Sequence, residues 1–292
     1  MKRMFIVLCF AVAAALLCGC GIIVRALNPP RVKPVFPPAT RPIRTPEPEI
    51  PEQAAFTATP IPENTPCTFG ETTYTITTEL NEDYDYDWGT THLSAQGGSG
   101  GDFEVYYDGY FAGAYYIETQ GRSCVLLTTD LQVSESVMTY ILDADSLAET
   151  DSLGGTVHSF DGDEVIMFSL IDVLGTYPTL RGYTFRSDLT MDPGENLFNI
   201  IKDEYFMEED YYLVTTRDLQ VQMFENGQYG SSEMLYPGSE LCMTATDGTS
   251  IVYFKTRDGR EGRFPIVIRD YWEVFIDGVS AEECFEELPY AG

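Results

Sequence analysis

Between Thr72 and Thr256 the apolar positions recur in short runs, several of them alternating with polar ones: "TTYTITT" (72–78), "CVLLTT" (124–129), "VMTYILDA" (137–144), "DEVIMFSLIDV" (163–173) and "IVYFKT" (251–256). A period of two sends successive side chains to opposite faces, and Val, Ile, Thr and Tyr suit a pleated surface, so each run predicts a β-strand. Asp-Gly or Asn-Gly pairs punctuate them at Asp108-Gly109, Asp161-Gly162, Asn226-Gly227, Asp247-Gly248, Asp258-Gly259 and Asp277-Gly278. Such pairs take up the positive φ angles of tight hairpins, so an antiparallel all-β chain is expected. Helix is expected only at "GENLFNIIKDE" (194–204) and "SAEECFEEL" (280–288), the second with Ser280 as N-cap and Glu283 three residues on.

One internal echo appears. "TYILDADSL" and "GYTFRSDL" align Tyr140 with Tyr183, 43 residues apart, each on an apolar run that ends in a turn. That period lies in the range of a propeller blade. Residues 67–205 hold at most three such units, too few for a closed ring, so the expectation is a β sandwich or open meander, with a propeller fragment as the second choice.

The other end of the chain follows a different pattern. Met1-Lys2-Arg3 precede an uncharged stretch from Met4 to Val24, in the order of a secretory signal. Within it Leu17-Cys18-Gly19-Cys20 resembles the lipobox of bacterial lipoprotein precursors. The resemblance implies that residues 1–19 are a signal peptide, that Cys20 is the lipidated residue carrying a diacylglyceryl group with acyl chains such as palmitate, and that the chain is fastened to the cell membrane facing outward. The alternative is an uncleaved transmembrane anchor, since about 20 apolar residues suffice to cross a bilayer.

Residues 28–66 contain 12 of the 17 prolines, and proline restricts both itself and its predecessor to extended backbone. Residues 20–66 thus read as a lipid anchor and proline-rich linker, reaching on the order of 100 Å at roughly 3.1 Å per residue. Its charges are ordered, with Arg25, Arg31, Lys33, Arg41 and Arg44 on the membrane side and Glu47, Glu49, Glu52 and Glu63 beyond. The basic end favours anionic headgroups.

The remaining 226 residues carry 42 Asp and Glu against 10 Lys and Arg, a formal charge of about −32. Nucleic acid is excluded as a partner on that ground. Two domains are expected, a β-rich one over 67–205 and a second over 206–292. From Tyr211 the chain resembles bacterial SH3-like domains. Leu219 and Val221 open a strand, Leu235 and Gly238 form an L-x-x-G turn into Leu241, Asp247-Gly248 turns into Val252 and Phe254, and Gly262 precedes the last strand. The resemblance implies a small SH3-like barrel with a C-terminal extension. No tryptophan stands between Val252 and Thr256, so no ligand groove is carried over.

Catalytic signatures are thin. Carboxylates are so frequent that a general acid and base pair has no recognisable spacing. His92 and His158 are the only histidines, which excludes a three-histidine zinc site. "GGSGG" (97–101) matches G-x-S-x-G, but Ser99 lacks the following helix of a nucleophile elbow and reads as a loop.

"NEDYDYDWG" (81–89) alternates Asp83, Asp85 and Asp87 as calcium loops do, which makes calcium the one cofactor to consider. Trp88 and Ser94 stand where an EF-hand needs Gly and Glu, and an exposed strand has the same alternation. The even set Cys67, Cys124, Cys242 and Cys284 allows three pairings in an exported chain. Cys67 with Cys124 and Cys242 with Cys284 is the natural choice, against free thiols at Cys124 and Cys242, which fall inside apolar strands. The sum is an extracellular lipoprotein that is not an enzyme and serves as a binding protein or scaffold for a protein, peptide or glycan ligand, cell-wall material included. A secreted hydrolase with an unrecognised carboxylate site, or a purely structural envelope protein, is the alternative.

Overall fold

The computed structural model describes residues 56–290 apart from 82–87, 120, 133–136, 204, 206, 208, 271 and 272. Over that range the chain is antiparallel β-structure with one four-residue helix. β1 (Phe56–Pro60) comes first, inside the stretch read as spacer, so the ordered body begins earlier than 67. Three meanders follow in series.

The first contains β2 (Cys67–Phe69), β3 (Thr72–Asn81), β4 (Trp88–Gly98) and β5 (Gly101–Asp108). The second contains β6 (Tyr110–Thr119), β7 (Ser123–Asp130), β8 (Val137–Asp143) and β9 (Glu149–Gly154), with β1 added on the free side of β6. The third contains β10 (Thr156–Asp161), β11 (Glu164–Asp172) and β12 (Thr176–Phe185), and its fourth position is shared by β13 (Met191–Pro193) and β14 (Phe198–Ile200), both bonded to β12.

The middle sheet is apolar on both faces, and that explains its sequence. Cys124 to Thr129 on β7 are buried without a break. Val125 and Leu127 join Ile76, Leu93 and Ala114 in one cluster with the first sheet, while Cys124 and Leu126 join Phe56, Ile117, Val165 and Met167 in another with the third. A strand covered on both sides has no reason to alternate, hence the continuous run. Each such Val or Leu contributes about 1.5–3 kcal/mol by burial.

The passage from one meander to the next repeats in detail. Gly109 (φ +106°) joins β5 to β6, and Gly155 (φ +108°) joins β9 to β10. The Gly109 amide donates to Gly89 O at 2.7 Å and the Gly155 amide to Val137 O at 2.7 Å. Thr91 Oγ1 donates to Gly109 O and Thr139 Oγ1 to Gly155 O, each at 2.8 Å. A Cβ on Gly155 would lie 2.2 Å from Phe168 O, so this corner needs glycine for space as well as for φ. Asp108-Gly109 is therefore a corner between sheets and not a hairpin. The other Asp-Gly and Asn-Gly pairs all lie between hydrogen-bonded neighbouring strands.

The Tyr140 and Tyr183 echo has a local counterpart. Three residues beyond each tyrosine the strand enters a tight turn, closed by Leu147 N to Asp143 O in one and by Leu189 N to Arg186 O in the other. Both leucines are buried with positive φ, +52° and +69°.

The C-terminal strands are β15 (Tyr212–Val214), β16 (Leu219–Glu225), β17 (Gln228–Leu235), β18 (Glu240–Thr246), β19 (Ile251–Thr256) and β20 (Glu261–Pro265), then the small sheet β21 (Val267–Arg269), β22 (Glu273–Ile276) and β23 (Val279–Ser280), and α1 (Ala281–Cys284). Two expectations are corrected here. β14 bonds β12 on one side and β18 on the other, so an 11-stranded sheet runs across the boundary placed at 205. Among the described residues none of the sheets closes into a barrel, because β17 ends the path as an edge and β18 is taken up by β14, β15 and β19.

Residues 194–203 are not helical. Phe198 and Asn199 pair with Thr246 and Ala245 as part of β14. α1 does start after Ser280, but Ser280 makes no side-chain cap bond. The buried side of the C-terminal region gathers Leu213, Val221, Met243, Phe254, Phe264, Cys284 and Phe285 into a third cluster.

Candidate functional site

Where the second and third meanders meet, their turns surround an open cleft of about 460 Å³. β1 and the end of β6 supply Phe56 and Thr119, and the β6–β7 turn supplies Gly121 and Arg122. Asp163 comes from the β10–β11 turn. The end of β12 and the turn after it bring Thr184, Phe185, Arg186, Ser187 and Leu189. A second cleft beside Met223, Phe224 and Arg260 is half that size, about 230 Å³, and its Arg260 is spent on Glu233 and Asp258.

The floor is aromatic and held edge-on. Phe56 meets Phe185 at 5.6 Å and Phe160 at 5.8 Å, both near perpendicular. Phe160 in turn meets Tyr115 at 5.0 Å. Edge-to-face contacts fix ring orientation more firmly than area burial alone does.

Each arginine of the rim is oriented by a carboxylate. Arg122 Nη2 donates to Asp143 Oδ2 at 2.5 Å, and Asp143 itself accepts from Ser146 Oγ (3.0 Å) and the Asp145 amide (3.1 Å). Burial pushes the Asp143 carboxyl up, but those bonds and the Arg122 charge outweigh it, and the net direction is down. Arg186 donates from Nε (3.2 Å) and lies 3.0 Å through Nη2 from the same oxygen of Asp192. Thr119 Oγ1 donates to Arg122 O at 2.7 Å and ties down the β6–β7 turn. The site thus presents pre-set donors, an acidic acceptor at Asp163 with no ion-pair partner among the described residues, three hydroxyls and an apolar floor. Those are the parts of a recognition surface for a small polar ligand.

Glu164 lies next to Asp163, and burial followed by the charges of Asp163, Asp161 and Glu195 raises its pKa. Its carboxylate lies over Gly182 and Gly194, where any Cβ would come within about 3 Å of it, and it is not among the residues lining the cleft.

The residues singled out in the sequence fall elsewhere. Cys20, and Asp83, Asp85 and Asp87, lie outside the described residues. Among the described residues no group of three His, Cys, Asp or Glu side chains converges to hold a metal. Ser99 stands exposed in the β4–β5 turn and His158 exposed on β10, while His92 on β4 stacks on Tyr106 at 4.4 Å and lies 3.8 Å from Glu104.

The expected disulfides are not formed, and all four cysteines are free thiols. Strand parity gives the reason. Cys67 packs with the cluster on one face of the middle sheet and Cys124 belongs to the cluster on the other. Cys284 is in the C-terminal cluster, while Cys242 lies between Leu241 and Met243, which both point into that cluster, so its own side chain points away.

No motif in the sequence singles out Arg122, Arg186, Phe56 or Phe185. The usable signal was scarcity, since two of only ten basic residues after residue 66 meet here. No protein-family model, no curated protein and no solved structure matches the chain.

Proposed function

We propose that the chain is a bacterial cell-surface lipoprotein, anchored outside the membrane by a diacylglyceryl group on Cys20, held off it by the proline-rich spacer, and acting as a binding module through the cleft between its second and third meanders. The supporting observation is that the cleft's arginines are already paired and fixed, Arg122 by Asp143 and Arg186 by Asp192. A surface ordered before its ligand arrives loses less entropy on binding. The lining holds one carboxylate, Asp163, and neither a second carboxylate nor a histidine to work with it, which favours binding over the hydrolase alternative. The stacked meanders are read as a sandwich-like ligand body and the strands from 212 to 265 as an SH3-like module on strand order, the second being a scaffold for contacts of its own.

Anchoring is tested by growing cells that express the full chain with a palmitate analogue. Label on the chain and sedimentation with membranes are the expected outcome, with the label lost in Cys20→Ala. A parent chain that sediments with membranes without label, or label that survives in C20A, would end the lipoprotein reading.

A further inference from the structure

We infer that the cleft takes a neutral saccharide, one or two pyranose rings of a longer glycan, an inference that rests on the cleft being the ligand site. Charge decides against the competing classes. Arg122 and Arg186 are each balanced by a carboxylate, and Asp163 is left over, so the rim is net negative on a body whose formal charge is about −32. An anion is repelled by that sum. A cation finds a single carboxylate in the lining, Asp163, and no second acidic ligand there.

What remains is a ligand that is polar without charge. A guanidinium has five N–H groups; Arg122 spends Nη2 on Asp143, and Arg186 spends Nε and Nη2 on Asp192. The side chains are 45% and 58% exposed and both line the cleft, so unspent N–H groups remain open to solvent at its rim. Asp163 and the Thr119, Thr184 and Ser187 hydroxyls stand near as acceptors.

Vicinal sugar hydroxyls each donate once and accept twice, and a rim that mixes fixed donors with acceptors satisfies both demands at once. The C–H face of a pyranose is apolar and matches the half-buried Phe185, which is backed by the buried Phe56 and Leu189. A volume of about 460 Å³, open to solvent, suits part of a polymer with its remaining units outside.

The experiment is calorimetric titration of the full chain in detergent micelles with maltotriose, cellotriose and chitotriose, and with trigalacturonate and inorganic phosphate as anionic comparators. At least one neutral trisaccharide saturates the protein, and both anions bind at least tenfold more weakly. Ser187→Trp, on an exposed turn, fills the cleft and abolishes binding; Arg186→Gln weakens it at least tenfold; both keep the parent Tm. Arg257→Gln, in the β19–β20 turn with its guanidinium over Tyr212, changes nothing.

No saturation by any neutral probe at millimolar concentration, or tighter binding of an anion, overturns the saccharide. Saturation that survives S187W overturns the cleft as the site. Palmitate labelling is read separately, so loss of the sugar with labelling intact removes this inference alone, and the converse removes only the anchor.

Discussion

Cys124 is flanked by Ser123 and Val125 on a strand whose two faces serve different cores, and that one-residue parity decides its chemistry. Burial first, then the Asp143 charge, pushes its thiol up to about 12, so it is a poor nucleophile as well as an unpaired one. Cysteine mapping by alkylation and mass spectrometry without reductant is expected to find Cys67, Cys124, Cys242 and Cys284 all modified in denaturant. In native buffer Cys124 and Cys284 are protected. A cross-linked pair of peptides containing Cys67 and Cys124 would contradict the parity argument. The sequence showed that Cys124 lies inside an apolar strand, but it did not show that both faces of that strand are covered, and only the second fact forbids the bond. Asp143 is the other residue whose environment has a measurable sign. Its folded pKa is lowered, so its bond to Arg122 stabilises the fold above the unfolded carboxyl value of about 4 and the stabilisation is lost as pH falls through the folded value. Asp143→Asn is accordingly expected to lower Tm at pH 7. The gap from the parent narrows steadily below about pH 4 in a melting series from pH 7 to pH 2.

At the scale of elements, glycines with positive φ carry different loads. Gly227 (φ +80°) tops the β16–β17 hairpin, and a Cβ there would meet nothing within 4 Å, while at Gly155 the same atom would strike Phe168 O. Gly227→Ala is expected to cost about 1–2 kcal/mol, the left-handed strain alone. Gly155→Ala costs more, about 3–5 kcal/mol, because strain and overlap with backbone add. Chemical denaturation of the two variants checks the order, and equal losses would show that the corner yields. Strands were legible wherever turn chemistry and β-branched runs agreed, as in β3, β11 and β19. "GENLFNIIKDE" misled because Leu197, Ile200 and Ile201 sit at helical spacing. Pairing of Phe198 with Thr246 and of Asn199 with Leu180 overrides that local preference. Asp108-Gly109 read as a hairpin because the dipeptide reports its φ angles and not whether the chain returns to the same sheet.

For the molecule as a whole, the body is a series of sheets whose turns collect at shared junctions, and function is proposed at one of these. That place was illegible in the sequence for a plain reason. Phe56, Arg122, Asp163 and Arg186 come from four separate parts of the chain, each ordinary by itself, and only the stacking of meanders brings them together. The all-β class needed no such assembly and was readable from local pattern. β1 has a further consequence. It is an edge strand bonded only to β6, its first residue Phe56 is paired with Thr119, and both residues line the cleft. Load carried along the proposed tether to β1 would peel it from Phe56, one rung at a time. Phe56 and Thr119 belong both to the first rung of β1 and to the cleft lining, so under the proposed anchor and ligand site a bound ligand would act as a clasp on the tether. Optical-tweezer extension from the N-terminus is expected to show the first, small rupture of β1 at higher force when saccharide is added, and at a force independent of added saccharide in Ser187→Trp.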